Sequence, residues 1–202
     1  MDHRRKSRGL NEVERIAFTP SADGDSSGEP PLADLFRQAM RRVAATVNVV
    51  TICVDGQLMG MTATAMSCVS MDPPSLLVCI NQALTMHAPM EDVSHFAVNV
   101  LHGDQQETAR MFADRSRKAA RFVSGWAVDG SRPPRLEAAQ ASFLCRRTDH
   151  HRFGTHSIFI GIVEGIDMRA EIDPLIYVDG AYAVTGRPAP GFRAGPPITT
   201  HG

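Results

Sequence analysis

The sequence predicts a mainly β domain in which short strands, accompanied by a few short helices, close into a barrel. Three observations predict this fold class. Runs of β-branched and aromatic residues recur between Val47 and Val184, turn dipeptides such as Asp55-Gly56 separate several of them, and helical periodicity is confined to a few short segments. Successive short strands with few helices between them favour a barrel over a sheet built from βαβ units.

The first predicted element is an amphipathic helix. Apolar residues at helical spacing follow Pro31, and proline is favoured in the first turn of a helix. These apolar residues are Leu32, Leu35, Phe36, Ala39, Met40 and Val43. They predict a helix that begins near Leu32, where the folded domain also begins, and that docks through its apolar face.

A β-hairpin is predicted next, because a β-branched run over residues 47–54, VNVVTICV, ends at Asp55-Gly56. The returning strand contains residues 60–81, GMTATAMSCVSMDPPSLLVCIN. The remaining elements are predicted from periodicity. They are the strands Ser75 to Ile80, His95 to Leu101, Ala139 to Asp149, Thr155 to Met168 and a short pair from Leu175 to Val184, with a helix from Asp104 to Ala113. The last two hairpins are expected to turn at His150 to Gly154 and at Asp179-Gly180.

Length and charge limit the classes of protein. The chain has 202 residues, and no apolar run approaches the ~18 residues that a membrane-spanning helix needs. Lys and Arg total 21 against 22 for Asp and Glu, so the chain lacks the positive field that nucleic-acid binding usually requires. We therefore expect a single folded domain over residues 32–184 that binds neither a membrane nor nucleic acid.

Both ends of the chain are predicted to be unstructured. Residues 1–31 end in a segment rich in Pro, Ser, Gly and Asp, which predicts a disordered arm, and residues 185–202, rich in Gly and Pro, predict a flexible tail. The four cysteines form no C-x-x-C pair and lie in apolar runs, so we interpret them as reduced and structural. Because no apolar segment typical of a secretory signal follows the start, we expect a cytoplasmic protein.

The stretch from Gly60 to Asn81 combines hydroxyl residues with small side chains inside a strand-like apolar pattern. Alternate residues of a strand share a face, so Thr62 and Thr64 are expected on one face together with Met66. Small side chains let a flat molecule approach the backbone, and hydroxyl groups with amides freed near Asp72-Pro73-Pro74 could bond a ring edge or a phosphate. The pattern fits one wall of a flavin site, and it also fits an ordinary edge strand rich in Ser and Thr.

Six segments together resemble the short-chain flavin reductase family, which includes the reductase components of two-component flavin monooxygenases. The segments are FRQAM (36–40), TVNVVT (46–51), residues 60–81, FAVNVL (96–101), GTH (154–156) and LIYVDGAY (175–182). The resemblance runs in unbroken order from about Leu32 to Val184. It implies an FMN-binding split β-barrel of Greek-key type, forming a homodimer with FMN or FAD held between the barrel and the partner subunit.

The resemblance also implies an activity and its residues. Flavin contacts map onto Met59, Gly60, Met61, Thr62, Thr64, Ala65, Cys79, Ile80, Asn81, Thr85, Met86 and Phe112. The nicotinamide of NADH or NADPH maps onto the catalytic residue His156 and onto Tyr177, Val178, Asp179 and Gly180. The implied reaction is hydride transfer from the reduced nicotinamide to the flavin, and the implied partner is a separate flavin-dependent monooxygenase that receives the reduced flavin.

Two positions differ from the pattern typical of the family. Relatives often carry Ser and a basic residue near the flavin phosphate, where this chain has only Thr85 and His87 as side-chain donors, and Arg110 stands one place before the usual Arg. The sequence therefore does not decide whether the flavin is FMN or FAD, or whether the nicotinamide is NADH or NADPH. Two other functions also stay open: a split-barrel flavoprotein with tightly held FMN that reduces another acceptor, and a non-catalytic flavin-binding module.

No metal site is predicted. His150 and His151 beside Asp149 lack further ligands at suitable spacing, so we interpret them as a solvated hairpin tip. The sequence also contains no G-x-G-x-x-G, no G-x-x-x-x-G-K-[ST] and no H-E-x-x-H motif. A cofactor would therefore be held without the usual nucleotide or zinc motifs.

Overall fold

The computed structural model describes residues 30–185, and the chain divides into two units between Met40 and Arg41. Nearly all of the predicted disordered arm, residues 1–31, lies outside the described residues. The same is true of the predicted tail, residues 185–202. The division between the units falls near the start of the domain predicted over residues 32–184.

The described residues form a mainly β structure with a few short helices, which confirms the predicted fold class. The helices are α1 (Leu32–Met40), α2 (His87–Asp92) and α3 (Gln106–Ala113), and a 3₁₀ helix covers Arg115–Ala120. The strands are β1 (Ala45–Thr46), β2 (Asn48–Val54), β3 (Gln57–Ala63), β4 (Met66–Met71), β5 (Pro74–Asn81), β6 (His95–Val100), β7 (Trp126–Ala127), β8 (Arg135–Leu136), β9 (Ala141–Phe153), β10 (His156–Met168), β11 (Leu175–Val178) and β12 (Ala181–Val184).

Helix α1 belongs to the first unit. It forms where the apolar periodicity predicts it, and Asp34 in its first turn pairs with Arg37 one turn later. None of its residues is buried, and Leu32 and Phe36 are 58% and 65% exposed. The docking of its apolar face stays a prediction.

Seven strands form one antiparallel sheet in the order β3-β2-β6-β9-β10-β5-β4. β3 and β4 are its two edges, although only Thr64 and Ala65 separate them in sequence. Because one residue spans at most ~3.6 Å, this two-residue link keeps Ala63 and Met66 within roughly 11 Å of each other. The sheet must therefore curl until its edges meet, which makes it a barrel that is split at the link.

A smaller sheet, β1-β11-β12, adjoins the barrel at the start of β2. The backbone N–H of Val47 donates to the carbonyl oxygen of Leu175 at 2.9 Å, and the carbonyl oxygen of Val47 accepts from the N–H of Leu101 at 2.9 Å. Val47 therefore connects both sheets. This connection sets where the β11–β12 hairpin and its tyrosines lie beside the barrel.

Both faces of β2 are buried. Val50 and Ile52 belong to the barrel core, which also contains Phe96 and Phe159. Val49 faces the other way, into a second cluster that includes residues of α3. A strand covered on both faces needs apolar residues at consecutive positions, which explains why the VNVVTICV run shows little polar alternation.

The hydroxyl-rich stretch is not one strand, so this part of the prediction is wrong. β3 ends at Ala63, β4 begins at Met66, and Thr64 and Ala65 form the link between them. Thr62 and Thr64 therefore do not share a strand face with Met66. The reason is the curl of the sheet, which requires the chain to leave one edge and enter the other at this point.

The predicted turn at His150 to Gly154 is also misplaced. β9 continues to Phe153, and the chain turns at Gly154-Thr155, where Gly154 has a φ of +54° that glycine adopts without strain. His150 and His151 lie within the paired strand, and His150 stands opposite Phe159 of β10. They do not form a hairpin tip.

Gly161 gives a test of the barrel core. A Cβ added there would lie 2.7 Å from the Phe96 ring and 2.8 Å from Cys145 Cβ. We predict that Gly161→Ala lowers the free energy of unfolding by about 1–3 kcal/mol, the usual cost of overpacking a core. Gly165→Ala on the same strand is the matched control, because its Cβ would meet Leu144 at an ordinary 3.6 Å. Urea unfolding measures both variants, and equal losses would contradict the packing argument.

Candidate functional site

A cavity of about 360 Å³ lies where the split of the barrel meets the β11–β12 hairpin. Its wall is formed by the end of β3, the two-residue link, the end of β5, the start of β10 and the two strands of the hairpin. Eight of the residues predicted from the sequence line it: Met61, Thr62, Thr64, Ala65, Cys79, Asn81, His156 and Tyr177. The fold therefore gathers residues from distant parts of the chain around one space.

Strand pairing places the predicted flavin residues beside the predicted nicotinamide residue. β5 and β10 pair with His156 opposite Asn81 and with Ile158 opposite Cys79. The N–H of Cys79 donates to the carbonyl oxygen of Ala65 at 3.0 Å, which ties the link to the same strand. His156, Asn81 and Cys79 consequently lie side by side along one edge of the cavity.

The two threonine hydroxyls near the link have different surroundings. Thr62 is half-buried, and its Oγ1 donates to the carbonyl oxygen of Ala109 on α3 at 2.7 Å. This hydroxyl therefore holds the helix on the barrel. Thr64 and Ala65 are exposed at the split. Of the two hydroxyls, that of Thr64 is the one that a bound molecule would meet.

His156 begins β10 directly after the turn at Gly154-Thr155. Its side chain is exposed, and its Nδ1 lies 2.9 Å from Thr155 Oγ1. Gln82 holds the backbone here, because its N–H donates to the carbonyl oxygen of Thr155 at 2.9 Å and its Nε2 to that of His156 at 3.0 Å. The backbone of His156 is thus fixed, while its imidazole is available to a ligand.

A smaller cavity of about 90 Å³ contains four more of the predicted flavin residues, Met59, Gly60, Thr85 and Met86. Two cations, Lys118 and Arg121, also line it. The guanidinium of Arg121 is occupied within the protein, since it donates to the carbonyl oxygens of Gly60, Met111, Phe112 and Asp114 at 2.8–3.2 Å. Arg121 therefore fastens β3 to the end of α3, and Lys118 is the cation that a ligand here would meet.

The remaining predicted residues line neither of these two cavities. Ile80 is buried in the barrel core, and Phe112 is buried in the second cluster. Val178 to Gly180 form the turn end of the β11–β12 hairpin, where Asp179 Oδ1 accepts a hydrogen bond from Arg41 Nε at 3.0 Å. Their predicted contacts with a cofactor stay predictions.

Sequence reasoning missed Tyr182, which also lines the large cavity. Tyr182 stands opposite Tyr177 in the hairpin with 5.5 Å between ring centroids, and the Arg110 guanidinium lies 5.5 Å from the centre of its ring. Burial raises the pKa of the Tyr182 phenol, so it stays protonated at neutral pH. The turn dipeptide Asp179-Gly180 is the signal that could have found it, because a two-residue turn brings the flanking residues into register.

The other lining residues that were missed are Val47, Ala63, Leu84 and Ala113. Their apolar side chains carry no chemical signal in the sequence. No Asp, Glu, Lys or Arg lines this cavity, and burial raises the pKa of the Cys79 thiol, which keeps that thiol neutral as well. The lining suits a flat, largely apolar ring with polar edges.

Within residues 30–185, no group of three or more His, Cys, Asp or Glu side chains could hold a metal ion. In the same range no helix has both the length and the apolar character that crossing a membrane requires.

An open cavity without charged Asp, Glu, Lys or Arg side chains suits a class of protein in which a bound cofactor carries the chemistry and the protein binds and orients it. Comparison with known families agrees with this class. Residues 40–186 match the flavin reductase like domain. The chain belongs to this family, and the resemblance noted in its sequence is confirmed.

Three similar proteins illustrate the likeness. The reductase component of the FADH(2)-dependent resorcinol hydroxylase of a Rhizobium species is 39% identical over 73% of this chain and 84% of its own length. The FMN reductase (NADH) RutF of Methylorubrum populi is 35% identical over 83% of this chain and 84% of its own length. The crystal structure of BorF, the flavin reductase component of a bacterial two-component tryptophan halogenase, has a TM-score of 0.70 at 32% identity and covers 75% of this chain and 97% of BorF. The likeness of folds is consistent with the predicted split barrel.

Alkylation of cysteine can locate a bound flavin. Cys79 lines the large cavity, whereas Cys68 is exposed on β4 and does not line it. We predict that saturating FMN or FAD slows the reaction of Cys79 with iodoacetamide several-fold and leaves the rate at Cys68 unchanged. The raised pKa of Cys79 also predicts that its rate increases with pH, since the thiolate is the nucleophile. Peptide mass spectrometry measures both rates, and an unprotected Cys79 would contradict the assignment.

Proposed function

We propose that this protein is an NAD(P)H:flavin oxidoreductase, which transfers hydride from a reduced nicotinamide to FMN or FAD. The observation that carries the proposal is the cavity at the split of the barrel, because it gathers Thr64, Cys79, Asn81 and His156 around one space of about 360 Å³. This volume lies within the ~300–1,000 Å³ typical of small-ligand sites. Membership of the flavin reductase family supports the same reaction.

The residues around the cavity fit a flavin. Bound flavin would supply the hydride acceptor, so the protein's own residues need only bind, orient and shield. Thr64 and Ala65 present small side chains and exposed backbone against which a flat ring can lie. The absence of carboxylates from the lining also matters, because a carboxylate would oppose the negative charge that the ring gains with the hydride. His156 is placed at the edge to bind and orient the nicotinamide.

Two relatives support particular cofactors. RutF is an NADH-dependent FMN reductase, which supports NADH as the donor here. The reductase component of the resorcinol hydroxylase belongs to an FADH(2)-dependent system, which supports FAD beside FMN as an acceptor. We propose that this protein uses NADH and accepts either flavin.

The hydrogen bonds within the protein bear on which side chains are available to a flavin phosphate. His87 is one of the two side-chain donors expected there. It is buried, and its Nε2 lies 2.7 Å from Ser157 Oγ, so it is already engaged in a hydrogen bond within the protein. Thr85 and Lys118 share the smaller cavity and are the donors proposed for the phosphate. Arg110, which lies over Tyr182 beside the large cavity, is a second proposed phosphate contact.

We propose that the reduced flavin passes to a separate flavin-dependent monooxygenase. The Rhizobium relative is the reductase component of an FADH(2)-dependent resorcinol hydroxylase, and BorF is the flavin reductase component of a two-component tryptophan halogenase. A cytoplasmic location is proposed with it, supported by four cysteines that are all free.

We also propose a homodimer in which the partner subunit completes each cavity. The exposure of Thr64 and Ala65 at the split supports this arrangement, because a bound ring resting there would otherwise face water.

The test of function follows nicotinamide absorbance with NADH and NADPH, each combined with riboflavin, FMN and FAD, after the flavin that co-purifies is measured. We expect turnover with added flavin well above the rate without enzyme. Stoichiometric, tightly held FMN with reduction of another acceptor would favour the prosthetic-group alternative. Flavin binding without nicotinamide oxidation would favour a non-catalytic module, and either result would contradict the proposal.

His156 gives the test of the nicotinamide assignment. We predict that His156→Ala raises the KM for NADH about tenfold, equivalent to ~1.4 kcal/mol, the scale of one lost hydrogen bond. The Kd for flavin should change much less. His151→Ala is the matched control, because His151 is exposed on the same hairpin and pairs with Asp149 at 3.0 Å. Since His156 stands opposite Asn81, an equal loss of flavin binding would show that the two ligands share this edge and would defeat the assignment.

A further inference from the structure

Five polar side chains that line neither cavity form a cluster between α2 and the β9–β10 hairpin. They are His87, Glu91, His150, Arg152 and Ser157. Glu91 lies at the centre: its Oε1 accepts from Arg152 Nη2 at 2.8 Å and lies 3.6 Å from His150 Nε2 and 3.9 Å from His87 Nε2. The cluster therefore attaches α2 to the hairpin.

His87 is the buried member of this cluster. It is 6% exposed, and its Nε2 lies 2.7 Å from the Oγ of Ser157, which is fully buried. Its ring also packs edge-on against Phe159, with 5.8 Å between centroids, and His150 stacks on the same Phe159 at 5.6 Å. The hydrogen bond between His87 and Ser157 is thus enclosed by protein and does not compete with water.

This hydrogen bond joins the two segments that carry the candidate site. His87 directly follows Thr85 and Met86, which line the smaller cavity. Ser157 directly follows His156, which lines the large one. Gln82 connects the same two segments a second time, through its side-chain hydrogen bond to the carbonyl oxygen of His156.

We propose that His87 and Ser157 are a pair of positioning residues for hydride transfer, a role that rests on the proposed function. They act through their neighbours, by holding the loop that ends at Met86 against the strand that begins at His156. Hydride transfer needs the two reacting rings at a fixed separation, and a misplacement of about 1 Å can slow an enzyme ~100-fold. Removing either partner leaves the other buried and unpaired, so the two segments would shift apart.

The test measures kcat, KM and the kinetic isotope effect with 4-deuterated NADH. We expect Ser157→Ala and His87→Leu each to lower kcat about tenfold and to raise the isotope effect on kcat, with both KM values changed less than about threefold. The double variant should fall no further than either single variant, because both changes remove the same bond. His87→Gln, which keeps a polar amide at this position, should retain most of kcat.

Thr148→Val is the matched control. The Thr148 hydroxyl donates to the carbonyl oxygen of Ile160 at 3.2 Å, farther along the same hairpin from His156 and Ser157. We expect it to keep the wild-type kcat and isotope effect. If His87→Leu does not fold, the test uses two milder variants. These are His87→Gln and Ser157→Ala, the second of which removes a single oxygen atom.

Melting temperatures measured in parallel separate stability from positioning. A lower Tm with wild-type kcat and isotope effect in Ser157→Ala would overturn the proposal, and so would additive losses in the double variant. If the wild-type protein oxidises no nicotinamide with any flavin, the proposed function fails and the positioning pair fails with it. If the wild-type protein turns over and the variants match it, only the positioning pair fails.

Discussion

Two residues, Thr64 and Ala65, connect the opposite edges of a seven-stranded sheet, and this short link determines where the candidate site lies. A link this short forces the sheet to curl, because it brings the end of β3 to the start of β4. The two strands meet there without pairing, so the link stays exposed beside the ends of β5 and β10. The large cavity is the opening that results. Its position is therefore a property of the closure of the barrel.

The side chains that hold the walls of the two cavities together form hydrogen bonds within the protein and leave the cavities open. Thr62 bonds α3 through its hydroxyl, and Arg121 bonds four carbonyl oxygens of β3, α3 and the following residue. Gly60 allows β3 to lie close to α3, since a Cβ at this position would lie 2.7 Å from the Phe112 ring. The guanidinium of Arg121 is thus engaged within the protein, whereas Thr64 and His156 are exposed at the large cavity.

No Asp, Glu, Lys or Arg lines the large cavity. Hydride transfer between two cofactors needs orientation and a suitable field more than a strong acid or base. Burial raises the pKa of the Cys79 thiol and of the Tyr182 phenol, so neither is an anion in the cavity wall at neutral pH. Glu91 of α2 and its partner Arg152 line neither cavity, and their ion pair fixes α2 to the β9–β10 hairpin.

The sequence by itself determined the local elements and the family. Asp55-Gly56 predicts the first hairpin because both residues adopt positive φ, and Asp179-Gly180 does the same for the last one. The sequence could not show that β3 stops at Ala63, because Thr64 and Ala65 carry no breaking residue and only the curl of the sheet ends the strand. Nor could it show that His87 meets Ser157 rather than a phosphate, or that Tyr182 joins the cavity wall. Those facts depend on which distant segments pack together, and local periodicity carries no information about such contacts.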